Sequence, residues 1–283
     1  MALTFDDLPV ARYADLAAAE AVLPALAEGL HEMGVPATGF LNESKVDVPG
    51  EYERRAALLE GWLEAGLDMG NHTRSHRSFW TTPLPDYQRD VEDGEATVAR
   101  LLAARGRSLR YFRHPYLNTG PDAATRAAFE AYLQRSGYTV APVTIDTDDY
   151  VFALAYDNVL SRRDTVLAER VGAAYGRYLE DVTAFYEALS EDVVGREVAQ
   201  IMLLHANALN ARYLPATVAM LRRRGYTFVS LEQALGDPAY QLPDRYVGAQ
   251  GISWLHRWAI TRGDAPPDHP PVPVWVRTLA WPD

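Results

Sequence analysis

The chain has 283 residues, 48% of them hydrophobic, no cysteine and a formal net charge of −11. The acidic balance argues against nucleic acid, which is held through Lys and Arg on phosphate, and against anionic membrane surfaces. Without cysteine there are no disulfides or thiolate ligands, so a metal site has to be built from His, Asp and Glu. No run of about 18 apolar residues offers a transmembrane segment, and the length suits one large catalytic domain with additions.

Short apolar runs alternate with amphipathic stretches in the β/α rhythm of a parallel sheet. Strands are predicted over residues 2–6, 37–42, 67–72, 109–113 and 138–145, and helices over 17–33, 52–65, 87–104 and 122–135. Residues 160–189 come next, with Val171, Tyr175, Tyr178, Val182, Phe185 and Leu189 at helical spacing. They predict an enlarged helical crossover between strands 5 and 6, packed on the sheet and broken at Gly172 or Gly176. A sixth strand over 198–205, a helix over 211–224 and a seventh strand over 226–230 follow. Residues 1–240 are expected to form the catalytic barrel. Residues 241–283 are expected to form a C-terminal wrapping segment, with a helix over 252–260 and a proline-rich tail over 264–273. Because the chain starts inside a strand, Met1 is expected to replace a longer N-terminal segment, such as an export signal.

The polar residues fall at the ends of these strands. Asp6 and Asp7 end the first, His72 the third, Arg113 the fourth and His205 the sixth, while Asp149 follows the fifth. Parallel strands in a barrel gather their carboxyl ends at one face, so these scattered residues are expected to become neighbours. Two adjacent carboxylates hinder each other's ionisation unless a cation lies beside them. His72 and His76, four apart, would present both imidazoles on one side of a helical turn. With Asp7 they make three metal ligands and leave a position open, the pattern of a catalytic zinc site. Trp80, Tyr116 and Tyr150, close to these polar residues, are candidate substrate-facing rings, whereas Phe79 and Phe152 are expected to be packing residues. Asn42 either faces the mouth or caps the next segment. His114 is badly spaced for a fourth ligand, and His31, His256 and His269 are expected to be structural or solvated. Asp146 and Asp148 lack the spacing of a calcium loop.

Five motifs in order carry a resemblance: Thr4-Phe5-Asp6-Asp7, His72-Thr73-Arg74-Ser75-His76, Arg113-His114-Pro115-Tyr116, Asp146-Thr147-Asp148-Asp149-Tyr150 and Leu203-Leu204-His205. On them the chain resembles the NodB-like polysaccharide deacetylases, carbohydrate esterase family 4. The resemblance implies an α/β fold, a distorted TIM-like (β/α)7–8 barrel. It assigns Asp6 as catalytic base, Asp7, His72 and His76 as ligands of a divalent metal, and His205 as catalytic acid. Arg113 would hold the base and Asp149 the acid. Leu203 and Tyr150 would line the acetyl pocket, and the Tyr116 backbone N–H would help bind the oxyanion. The metal expected is Zn2+, with Co2+ or Ni2+ as alternatives.

The chain departs from the family pattern at Leu8 and Leu117, where glycine is usual, and at Tyr150, where tryptophan is commoner. The implied activity is removal of N-acetyl groups from amino sugars in a glycan, chitin oligomers or peptidoglycan. The partner is thus an acetylated carbohydrate, met outside the cytoplasm as a secreted or periplasmic protein. The same site would suit an acetylxylan or other O-acetyl esterase, or a small cyclic amide hydrolase. A carbohydrate-binding protein with a decayed site is the rival from another class.

Overall fold

The first apolar run is buried on both faces, which is how a strand reads when helices cover a parallel sheet on either side. It forms β1 (Ala2–Leu8), an interior strand of a parallel sheet in the order β5-β4-β3-β2-β1-β7-β6. The computed structural model describes residues 1–11 and 15–282. In chain order, β1 is followed by α1 (Leu16–Glu32), β2 (Ala37–Leu41), α2 (Tyr52–Glu64) and β3 (Asp68–Asn71). Then come α3 (Leu84–Glu92), α4 (Ala96–Ala103), β4 (Tyr111–Phe112), α5 (Ala123–Arg135), β5 (Thr139–Val140) and β6 (Ile145–Asp146). The remainder is α6 (Asp149–Ser161), α7 (Thr165–Val194), β7 (Ile201–His205), α8 (Ala208–Arg223), α9 (Leu231–Leu235), α10 (Trp254–Arg262) and α11 (Val274–Ala280). The sheet curls into a seven-stranded half-barrel of the (β/α)7 type, with its helices outside.

The single strand predicted over 138–145 is two short strands, β5 and β6, at opposite edges of this sheet. The residues between them cross from one edge to the other. Ala141 N–H donates to Phe112 O of β4 (2.8 Å) and Thr144 N–H to Ile201 O of β7 (2.9 Å). One extended segment therefore spans the gap that a closed barrel would fill with strand pairing.

The predicted seventh strand is not part of the sheet. Residues 226–230 stay beside Met1, whose ammonium donates to Thr227 O (2.8 Å) and whose carbonyl accepts from Val229 N–H (2.9 Å). Ser230 and Gln233 then form a capping box, which satisfies orphan N–H groups and turns the chain into α9.

The helix predicted over 87–104 breaks between α3 and α4. A Cβ on Gly94 would lie 2.7 Å from the Thr73 carbonyl carbon, so the break lets the loop after β3 press against backbone. The enlarged crossover is α6 plus the 30-residue α7. It breaks before Asp164, whose side chain caps α7 by accepting from Leu167 N–H (2.9 Å), and the helix runs straight through Gly172 and Gly176. Val171, Tyr175, Tyr178, Val182 and Leu189 are buried, so the stripe packs inward as expected.

Past residue 240 the chain wraps over the carboxyl ends of the strands and ends in α11, which the sequence pattern did not reveal. Trp254 N–H donates to Val143 O (2.7 Å). The fully buried Arg257 donates to Leu117 O and to Thr119 Oγ1, and pairs with Asp244. Among the described residues no helix is long and apolar enough to cross a membrane.

Candidate active site

Strand register explains why the site assembles. Asp6 lies opposite His205 across β1 and β7, Leu41 opposite Asn71, and Asn71 opposite Phe112. His72 and Arg113 each follow the last residue of their strand, so all four functional side chains leave the sheet at one level.

The two histidines do not share a helical turn. They sit on an irregular loop in which Thr73 (φ 67°) and His76 (φ 53°) adopt the left-handed conformation, which a non-glycine residue holds only where its surroundings enforce it. Here Asn71 Oδ1 accepts from Thr73 N–H (2.7 Å), Thr73 Oγ1 from His76 N–H (3.0 Å), and Asp90 from the backbone N–H groups of Arg74 and Ser75. The rings still meet, 4.9 Å apart between centroids. Asn42, buried at the end of β2, donates to His72 O (2.7 Å), so it supports the loop and does not cap the next segment. The Arg113 carbonyl lies 2.8 Å from His72 Nδ1. A proton on Nδ1 donates to it and leaves the Nε2 lone pair facing the carboxylates.

Burial pushes His72 and His76 down to about 4, so both imidazoles are neutral at pH 7. Asp7 Oδ1 is buried without a hydrogen-bond partner, 3.5 Å from His76 Nε2 and 3.8 Å from His72 Nε2. The ligand atoms of Asp7, His72 and His76 all lie within 4.8 Å of one another. A buried acceptor without a donor is costly. Two neutral imidazoles and one carboxylate are a fitting donor set for a divalent ion that would relieve it.

Sequence reading missed Lys45. Its ammonium donates to Ala11 O (2.6 Å) and lies 3.4 Å from Asp7 Oδ2. Burial alone would raise the Asp7 pKa, but Lys45, and then His76, hold it far below the ordinary carboxylate range.

Asp6 has a different environment. It is 3% exposed, and Arg113 Nη1 contacts both its oxygens at 3.3 and 3.4 Å. Arg113 is itself fully buried and fixed by Ala141 O (2.6 Å) and Thr4 Oγ1 (3.0 Å), with Phe40 against its guanidinium. Burial pushes the Asp6 pKa up and Arg113 opposes it, leaving the carboxyl above its ordinary value. Arg113 thus moderates a rise that burial imposes on the base.

Opposite stands His205, with Nδ1 2.7 Å from Asp149 Oδ1. Asp149 also accepts from His205 N–H (2.9 Å), Asn207 Nδ2 (2.9 Å) and Asn210 Nδ2 (2.6 Å), and Tyr175 fixes Asn210 from α7 (2.6 Å). Burial would push His205 down, but Asp149 carries it up to about 10, so it is an imidazolium at neutral pH. The two asparagines also escaped the sequence reading. The signal available was Asn207 as helix cap, accepting from Asn210 N–H (2.8 Å) at the start of α8.

Asp6, Asp7, His72, His76 and His205 open on a cavity of about 1370 Å3, also lined by Tyr116, Tyr150 and Leu203. Tyr116 (60% exposed) stands against His76 and Tyr150 (50%) against His205, one on each side. Trp80 is not among the lining residues. Beyond His76 the chain is drawn off by Phe79, which is buried between Tyr87 and Phe129.

His114 is buried against Phe112 and Phe129, outside the cavity. His31 bonds Ala65 O (3.1 Å), as expected of a structural histidine. The tail brings His269 Nε2 to 3.7 Å from Asp148 Oδ2 at the cavity wall. His256 bonds Ser253 Oγ and Pro267 O while lining the same wall.

Two departures from the family pattern have local causes. Leu8 is buried over Gly39, where a Cβ would lie 2.2 Å from the leucine Cδ1. Leu117 holds φ 51° with its carbonyl bound by Arg257.

Residues 1–140 match the family model described as Polysaccharide deacetylase. Among solved structures, a family 4 carbohydrate esterase from Streptomyces lividans, in complex with acetate, is 19% identical. The TM-score is 0.52, over 83% of this chain and 94% of that one. A polysaccharide deacetylase from Bacillus cereus is 19% identical with a TM-score of 0.55, over 81% of this chain and 91% of that one. A family 4 carbohydrate esterase pseudoenzyme from Bacillus anthracis is 18% identical with a TM-score of 0.52, over 83% of this chain and 65% of that one. At these identities the likenesses are likenesses of fold.

Proposed function

The chain belongs, through residues 1–140, to the polysaccharide deacetylase family, and from that premise we propose that it is a metal-dependent deacetylase of amino sugars in a glycan, chitin oligomers or peptidoglycan. Since one solved relative is a pseudoenzyme, fold alone carries no activity. The observation that carries the reading is the completeness of the site. A buried carboxylate beside an Asp7-His72-His76 cluster and an imidazolium on a fixed carboxylate face the same cavity.

Asp7, His72 and His76 would hold the metal, Zn2+ in the first place and Co2+ or Ni2+ otherwise. The ion would supply Lewis-acid polarisation of the acetyl carbonyl and easier ionisation of water. Asp6, made more basic by burial and oriented by Arg113, takes the proton of the attacking water. His205 Nδ1–H stays on Asp149, so its Nε2–H is the proton delivered to the leaving nitrogen when the tetrahedral intermediate collapses. Leu203 and Tyr150 flank the acetyl methyl. The Tyr116 backbone N–H, in a left-handed turn at φ 55°, is assigned to the oxyanion.

The test is acetate release by the zinc- or cobalt-reconstituted protein, measured side by side on chitooligosaccharides, peptidoglycan and acetylated xylan. Release from the amino sugars is expected. Release from acetylated xylan alone would replace the reading with an O-acetyl esterase.

The acid assignment gives a pH prediction with a definite sign. His205 is active as the imidazolium, so activity falls as pH rises through its folded pKa near 10. The same raised pKa contributes stability that is complete below about 6.5, the free imidazole value, and is lost as pH climbs through the folded one. In Asp149→Asn the partner charge is gone and burial dominates, so the alkaline limb of the kcat profile moves to lower pH. An unmoved limb would take the acid role away from His205.

A further inference from the structure

The cavity does not end at the metal cluster. From Tyr150 it follows one face of α6 through Leu154 and Asp157 to Leu160 and Ser161, a helical run of roughly 16 Å at 1.5 Å per residue. The wall at its far end is α11 and the residue after it, Arg277 and Trp281, four apart and so on one side. Trp281 is 53% exposed, although most large apolar side chains of the chain are buried. It is also fixed, because Asn158 of α6 donates to Leu279 O (3.0 Å) and Ala280 O (2.9 Å) just before it. An exposed indole held on a rigid element beside polar side chains suits the C–H face of a sugar with hydroxyls around it.

We propose that Trp281 is a distal stacking platform, which receives the remote rings of an oligosaccharide whose acetylated unit lies at the Asp7-His72-His76 cluster. The proposal rests on the deacetylase reading and adds to it a preference for extended substrates. Continuity with the catalytic cavity makes the occupant part of the substrate. Asp157, Ser161 and Arg277 along the groove favour a hydroxylated chain over an alkyl one. Stacking on the far rings then supplies binding energy that a shorter substrate lacks.

The experiment compares kcat/KM on penta-N-acetylchitopentaose with that on di-N-acetylchitobiose in the metal-loaded enzyme. Trp281→Ala should lower the ratio of the two about tenfold, and Trp281→Phe should keep most of it. Ser161→Arg, which places a bulky side chain in the groove, should lower it as well. An unchanged ratio in Trp281→Ala overturns the platform.

Calorimetry with the Asp6→Asn protein separates this failure from failure of the function. Pentamer binding that depends on Trp281, without acetate release by the wild type, removes the deacetylase reading and keeps the platform. Acetate release without Trp281 dependence does the reverse. Tighter binding of a long-chain alkyl N-acetylglucosaminide than of the pentamer overturns the proposal in favour of an acyl or aglycone groove.

Discussion

Asp6→Asn is expected to retain a full complement of metal and to lose turnover by about 10²–10⁴-fold, the range that a positioned general base supplies. The substitution preserves shape and leaves an oxygen to accept from Arg113, but it removes the basicity that burial gives this carboxyl. The metal cluster is formed by the next residue, Asp7, so its ligands stay in place. The buried guanidinium of Arg113 loses its counter-charge, which costs on the order of 1–3 kcal/mol of stability. Residual activity is therefore to be measured well below the melting transition. Metal content by mass spectrometry and kcat on an acetylated oligomer decide the matter, and full activity in Asp6→Asn would mean that another group takes the proton.

The second large effect is expected at the ligands. Asp7→Ala and His76→Ala should bind a divalent ion more than about 100-fold more weakly, since disturbing even the outer partners of a metal ligand costs 10–100-fold. Their activity should fall to background. Asp7 is the sharper case, because Oδ1 is a buried acceptor with no donor and Oδ2 faces Lys45. Without the carboxylate, two neutral histidines face a buried ammonium, and that local charge repels a cation. Competition with a chelating dye measures the affinity directly. Stoichiometric zinc in either variant at micromolar protein would remove that residue from the ligand set.

How much of this was legible differs by residue. Asp6, Asp7, His72, Arg113, Asp149 and His205 could be placed because strand ends are visible as breaks in apolar runs, and parallel strands share one carboxyl face. The strand over 138–145 was legible as an extended apolar segment. Its division between two sheet edges was not, since that depends on how far the sheet curls. Trp80 illustrates the limit of neighbourhood in sequence. Four residues from a ligand, it lies off the cavity because Phe79 found a better burial with Tyr87 and Phe129. Lys45, Asn207 and Asn210 are common polar residues whose importance is a hydrogen bond or ion pair to a chain segment elsewhere, and His269 arrives from the tail across more than a hundred residues.

By itself the sequence determined the kinds of group present, their order and the strand ends that carry them, because hydrophobic periodicity is a local property and the available metal ligands are a matter of composition. The tertiary structure alone decided their electrostatics and the extent of the cavity. Burial raises Asp6 while Lys45 lowers Asp7 one residue away, and Asp149 charges His205. The fold of the C-terminal segment over the mouth puts Trp281 at the far end of the same cavity. A pKa or a wall follows from distances across the fold and from exclusion of water, and neither is written in the spacing of residues along the chain.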